Sequence, residues 1–187
     1  MKKQGHWEGF TEVIIRFHEI ALKGKNRPMF VRALVNNIRR STQGLGVKRV
    51  WDERMMIRCT LSQDADWNKI KECLSMVFGA VKFTLAKQVP HDYDAIVDSV
   101  KSLISNYDFQ TFRISAKRAE KRFYLTSKEL NIRVGNLVRE LSGARVNLSK
   151  PELEIHIEVL PKGIFIYAED FHGAGGLPVG TAGRVAT

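Results

Sequence analysis

Cysteine is scarce: Cys59 and Cys73 are the only two in 187 residues, and they are not in C-x-x-C spacing. That excludes a disulfide framework, and both thiols fall on apolar stripes, where burial is expected. Long hydrophobic runs are missing as well. None approaches the roughly 20 residues that span a bilayer, and the opening MKKQGHWEG lacks the apolar stretch of a secretory signal. The expectation is a cytoplasmic protein with no membrane partner. No H-E-x-x-H, no G-K-[ST], no Ser/His/Asp order and no paired buried acids can be identified, so no catalytic constellation is assigned. Acidic charge is also short. Against 30 Lys and Arg stand 20 Asp and Glu, a net charge of +10 with an isoelectric point near 9.8. Such an imbalance suits nucleic acid or an anionic membrane, or belongs to a merely soluble basic protein.

What is present is clustered. Residues 1–40 hold nine Lys or Arg against three Glu, and residues 111–150 hold ten against three, whereas 151–172 are net acidic. Two separate basic regions on one chain suit a long polyanion better than a small ligand.

The pattern predicts a strand at EVIIRF, a helix from about Pro28 to Gln43, strands at 47–51 and 55–60, a helix begun by Asp64 or Asp66, and a strand near 81–87. In the third strand Met55, Ile57 and Cys59 are expected inward and Arg58 outward. This βαββαβ order is the ferredoxin-like arrangement. Pro90 is the expected domain boundary. Beyond it a helix over 91–107, a strand over 111–116, a helix over 126–141 and strands over 153–159 and 164–169 form a small α/β unit, so the fold class is α+β. Thr126 and Glu129 make a capping box, with Leu130, Val134, Val138 and Leu141 as the buried stripe and Gly135 as a close-packing position.

The loop LKGKNRPMF crowds Lys23, Lys25 and Arg27 around Gly24 and Asn26 just before a helix N-terminus, where unbonded N–H groups and the dipole favour an anion. It reads equally as a solvated turn with Asn26 as helix cap. In KRAEKRFY, Lys117, Arg118, Lys121 and Arg122 stand beside Phe123 and Tyr124; cations can hold phosphates while a ring stacks on an unpaired base, with Phe123 itself in the core. Glu154, His156 and Glu158 share one outward strand face but lack a second histidine, so no metal is assigned. The glycine-rich GAGGLPVG fails as a dinucleotide loop because Pro178 interrupts it, and reads as a flexible linker.

HEIALKGKNRPMF and the terminal GAGGLPVGTAGRV together resemble the N-terminal half of the tRNA 4-thiouridine synthetase family, tRNA sulfurtransferases that also serve thiamine thiazole synthesis. The resemblance runs over essentially the whole chain. It implies an N-terminal ferredoxin-like domain over 1–88, a THUMP domain over 89–172, and 173–187 as a linker toward a pyrophosphatase-loop domain that adenylates uridine with ATP and magnesium. It further implies that the first two domains grip tRNA, the THUMP domain taking the acceptor stem and 3′ CCA end, and that a cysteine desulfurase supplies sulfur to the full enzyme. From charge and placement the RNA-contact candidates are Lys23, Lys25, Asn26, Arg27, Arg32 and Arg39, then Arg113, Lys117, Arg118, Lys121, Arg122, Tyr124 and Lys128.

The S-G-G-x-D-S loop expected after Val185 is not among these residues. No cofactor is therefore assigned to this chain, and the catalytic domain is expected in cis or in trans. The family's sulfur-transfer cysteine is matched by neither Cys59 nor Cys73. Phe17-His18-Glu19 departs from the family's more usual aromatic-Gly-Glu. Three rivals stand beside this reading: the RNA-binding part of another THUMP enzyme such as a tRNA methyltransferase, a small phosphate-ester enzyme on a ferredoxin-like scaffold, and a module for an acidic protein.

Overall fold

The strand EVIIR buries four of its five side chains, more than a one-faced sheet would require, and this sets the character of the sheet it enters. The computed structural model describes residues 9–181. In chain order these form β1 (Glu12–Arg16), α1 (Arg27–Ser41), β2 (Val47–Glu53), β3 (Met56–Leu61), α2 (Trp67–Ser75) and β4 (Lys82–Val89). There follow α3 (Tyr93–Ile104), β5 (Thr111–Arg118), α4 (Ser127–Ser142), β6 (Arg145–Val146), β7 (Leu153–Leu160), β8 (Gly163–Tyr167) and β9 (Phe171–His172). Lys2, Lys3 and the tail beyond Thr181, Val185 included, lie outside the described residues.

Two units emerge, Thr11–Leu85 with the chain from Asp170 onward, and Ala86–Glu169 with Gly9 and Phe10. In the first, the sheet order β2-β3-β1-β4 with antiparallel β1–β3 and β2–β3 pairs realises the βαββαβ expectation. Ile15, Leu34, Ile38, Ile57, Ile70 and Leu74 are essentially fully buried, each stabilising the fold by roughly 1.5–3 kcal/mol. Asp66, not Asp64, caps α2, accepting from the Lys69 N–H at 3.1 Å.

The second face of this sheet corrects the sequence reading. Arg58, expected outward, is 3% exposed and pairs with Glu12 at 2.8 Å and Glu53 at 3.0 Å, while Met55 lies half exposed. Arg58 and Arg49 each set a guanidinium 4.9 Å from the Trp51 ring. Alternation predicted the side on which Arg58 stands correctly, but not that this side is buried. Cys73 is half-buried rather than core, and Cys59 is buried, which pushes its thiol pKa up to about 12.

The glycine-rich segment is no loose linker as far as Thr181. β9 pairs with the first half of β4 through Lys82–His172 and Phe83–Phe171. Phe171 then completes an aromatic cluster, 5.7 Å from Trp67 and 5.6 Å from Phe83. Gly173 and Gly175 donate to Val81 and Ala80 carbonyls at 3.0 and 2.7 Å, and Gly79 donates to Gly175 at 2.7 Å. A Cβ on Gly173 would stand 2.3 Å from the Ala80 carbonyl oxygen, so only glycine permits this approach.

In the second unit the order is β4-β8-β7-β5-β6, with β5 parallel to β7 and β6 and the remaining pairs antiparallel. α3 packs on β8 and α4 on β5. Phe112, Leu130, Val134, Val138, Ile155 and Ile157 fill the core, but Leu141, expected there, is half exposed in the last turn of α4. Gly135 is buried, yet a Cβ there would meet only Ile114 at 4.0 Å, so the close approach is mild. The capping box forms in full: Thr126 Oγ1 accepts from the Glu129 N–H, and the Glu129 carboxylate accepts from the Thr126 N–H at 2.7 Å. Thr126→Ala is expected to lower stability by about 1 kcal/mol, seen as a lower thermal midpoint; an unchanged midpoint would show that the cap is dispensable.

Candidate nucleic-acid interface

The first basic region is built by two short 3-10 turns, Glu19–Leu22 and Gly24–Asn26, that run directly into α1. Gly24 takes φ +50 with no neighbour within 4 Å, which turns the chain at the surface. Arg27 does not face outward as a bare cation. Its Nη2 donates to the Arg54 carbonyl and its guanidinium lies 5.9 Å from the Phe17 ring. Arg54 itself is the one described non-glycine residue at positive φ, at 58°, so Arg27 fastens a strained turn to the loop. Lys23 lies 5.5 Å over Phe30 and is half-buried. Lys25 and Asn26 are exposed, and Asn26 makes no side-chain cap bond, contrary to the helix-cap reading of that residue.

Arg32 is exposed on α1. Near the end of the same helix, Arg39 donates to the Val50 carbonyl at 2.7 Å and lines a cavity of about 330 Å³ together with Lys48 and Arg49. Sequence reasoning missed the last two. A register shift between Val47 and Arg49 leaves both consecutive cations exposed, and a bulge of this kind has no signal in strict alternation.

The second basic region sits at the end of β5, the 119–126 loop and the start of α4. Two of its predicted contacts hold structure together. Arg113 pairs with Glu154 at 2.5 Å and donates to the Leu148 carbonyl at 2.8 Å. Arg118 donates to the carbonyls of Phe123 at 3.0 Å and Leu125 at 3.4 Å, which holds the loop closed. Lys117, Lys121 and Lys128 are exposed.

The loop tip carries the more specific arrangement. Arg122, 88% exposed, meets Glu120 through Nε at 3.0 Å and Nη2 at 3.1 Å. These bonds from the Arg122 side chain, then its backbone N–H, hold the Glu120 carboxyl down to about 2 and raise Arg122. Phe123 is buried, as expected, with His91 6.2 Å away. Tyr124 is 66% exposed, its ring 5.0 Å from Phe123. His91, Glu120, Arg122, Phe123, Tyr124 and Pro161 line an open pocket of about 370 Å³. His91 contacts the Leu160 carbonyl at 2.7 Å through Nε2, which fixes that wall.

The strand face considered for a metal is otherwise engaged. Burial pushes the Glu154 carboxyl up, but bonds from Arg113 and Ser115 outweigh it and hold the group low. Glu158, expected outward, is 6% exposed and accepts from the Tyr167 hydroxyl at 2.9 Å. Among the described residues no group of three His, Cys, Asp or Glu could hold a metal, and no helix is long and apolar enough to cross a membrane.

Residues 12–84 match the model of the ThiI ferredoxin-like domain and residues 90–169 that of the THUMP domain. The chain is 38% identical over 179 residues to the probable tRNA sulfurtransferase of Geobacillus kaustophilus, covering 94% of itself and 44% of that protein. It is 37% identical over 169 residues to the Thermus thermophilus counterpart, covering 90% and 41%. The crystal structure of a 4-thiouridine synthetase–RNA complex with bound ATP superposes with a TM-score of 0.79 at 30% identity, over 92% of this chain and 44% of that one. The chain thus spans less than half the length of the curated relatives it matches.

Proposed function

From a chain that belongs to the ThiI family, of which it carries the ferredoxin-like and THUMP domains, we infer that it grips tRNA for an enzyme that makes 4-thiouridine. The THUMP domain takes the acceptor stem and the 3′ CCA end. ATP, magnesium and the chemistry of thiolation belong to a pyrophosphatase-loop domain in cis or in trans, with a cysteine desulfurase as sulfur donor, and the setting is the cytoplasm. The observation that carries the reading is the exposed Tyr124 ring lining an open pocket together with Arg122, with Lys117, Lys121 and Lys128 exposed on the flanking strand end, loop and helix start. Phosphates bind the cations without regard to sequence, while an unpaired terminal base stacks on the ring. In the first domain Lys23, Lys25, Asn26 and Arg32, with Arg39, Lys48 and Arg49, supply further backbone contacts.

A salt-titrated binding assay with intact tRNA and with tRNA lacking its CCA tests this. The intact molecule is expected to bind at least ~10-fold tighter, the scale of one to two stacked bases, and Tyr124→Ala should erase the difference. Equal, steeply salt-dependent binding to both would leave only a basic surface.

A further inference from the structure

Within residues 117–128 stand five cations, Lys117, Arg118, Lys121, Arg122 and Lys128, and one carboxylate, Glu120. A lone acid at the centre of a surface that takes phosphates opposes their binding unless it has another role. Closing the loop is not that role. Arg118 ties the carbonyls of Phe123 and Leu125, the Ala119 and Glu120 N–H groups donate to the Val159 carbonyl at 2.9 and 3.0 Å, and the Phe123 N–H donates to the Glu120 carbonyl at 3.3 Å. None of these bonds uses the Glu120 side chain.

What the carboxylate holds is Arg122. Its Oε1 accepts from the Arg122 backbone N–H and from Nε, both at 3.0 Å, and its Oε2 accepts from Nη2 at 3.1 Å. A guanidinium gripped along its Nε–Nη2 edge has its plane and direction fixed, and its other donors stay open to a second anion. The Arg122 side chain is 88% exposed and that of Glu120 12%. The carboxylate therefore stands behind and the guanidinium in front, so a ligand arriving from solvent meets the cation first. Without this grip an arginine on a loop tip samples many rotamers, and that freedom is lost when a phosphate binds. Glu120 is itself anchored, because its backbone N–H is bonded to the end of β7. The pair lines the same pocket as the exposed Tyr124 ring.

We propose that Glu120 is a positioning residue of the RNA site, aiming the Arg122 guanidinium so that an RNA phosphate meets it while a base stacks on Tyr124. The proposal rests on the reading of this loop as a tRNA contact. It also runs against a tally of charge. Deleting a carboxylate raises the net charge by one, and on charge alone would tighten binding and steepen the salt slope by up to about 0.9. If Glu120 aims Arg122, its loss weakens binding instead.

The test measures the affinity of the 187-residue chain for intact tRNA at about 0.15 M salt, where distant surface charges are screened. Glu120→Ala is expected to bind about 3- to 10-fold more weakly, the scale of one immobilised side chain. Glu120→Gln, which keeps an acceptor for the Arg122 N–H and so guards against a reshaped turn, should move affinity in the same direction. In an Arg122→Ala background, Glu120→Ala should cost nothing further. Nitrogen relaxation of the Arg122 Nε–H in the free proteins should show an ordered side chain in the wild type and a mobile one in Glu120→Ala, a change that a purely structural role for the carboxylate would not produce. Tighter or unchanged binding by both Glu120 variants overturns the proposal, as does an equal loss in the Arg122→Ala background, which would give Glu120 a contact of its own. An Arg122 Nε–H equally mobile with and without Glu120 overturns it too. Wild-type affinity in Arg122→Ala removes this inference alone and leaves tRNA gripping intact, whereas a wild-type chain that fails to bind tRNA overturns the functional reading and this one with it.

Discussion

Replacing Arg58 with alanine is expected to destabilise the first unit by about 3–5 kcal/mol, because it breaks a buried ion cluster from one side. The Arg58 side chain is 4% exposed and its two partners, Glu12 and Glu53, are 7% and 13% exposed, so removal leaves carboxylates with little water to solvate them. Thr60 Oγ1 still donates to Glu12 at 3.0 Å, and Trp51 Nε1 to Glu53 at 3.3 Å, but neither supplies a charge. The indole of Trp51 also loses one of its two flanking guanidinium groups. Urea unfolding followed by tryptophan fluorescence reads the loss. A midpoint shift worth less than about 1 kcal/mol would show the cluster to be solvated in solution.

The second large effect concerns RNA. Lys117→Ala, Lys121→Ala and Arg122→Ala together are expected to reduce the slope of log affinity against log salt by about 2–3, near 0.9 for each phosphate no longer neutralised if the RNA behaves as a duplex. The thermal midpoint should stay put, since all three side chains are exposed and among the described residues their side-chain bonds are those of Arg122 with its loop neighbour Glu120. Arg118→Ala makes the informative contrast. It too should weaken binding, but with a lower midpoint, because Arg118 ties the carbonyls of Phe123 and Leu125 that shape the loop. A triple variant with the wild-type salt slope would remove this surface from the RNA interface.

These contrasts show where sequence reasoning reached its limit. Net charge and its two clusters pointed to a polyanion, and the family motifs named tRNA, without any coordinates. Yet Arg113 and Arg118 count the same as Lys117 in a charge tally, and only their partners reveal that they hold backbone and carboxylate in place. Conversely Lys48 and Arg49 escaped notice, since a bulge in β2, not the alternation of residue types, leaves both exposed beside Arg39.

Local rules that act over a few residues were legible. EVIIR forms the strand its pattern predicts, Thr126 and Glu129 form their reciprocal cap, and the βαββαβ order follows from periodicity and glycine stops. Such rules depend on backbone geometry close at hand, which the sequence alone specifies. The burial of Arg58 and Glu158, the return of Phe171 to a cluster with Trp67 and Phe83, and the fastening of the glycine segment depend on residues many positions apart. Whether a polar side chain is sheltered is decided by what is brought over it, and the residues that do so are chosen by the tertiary structure.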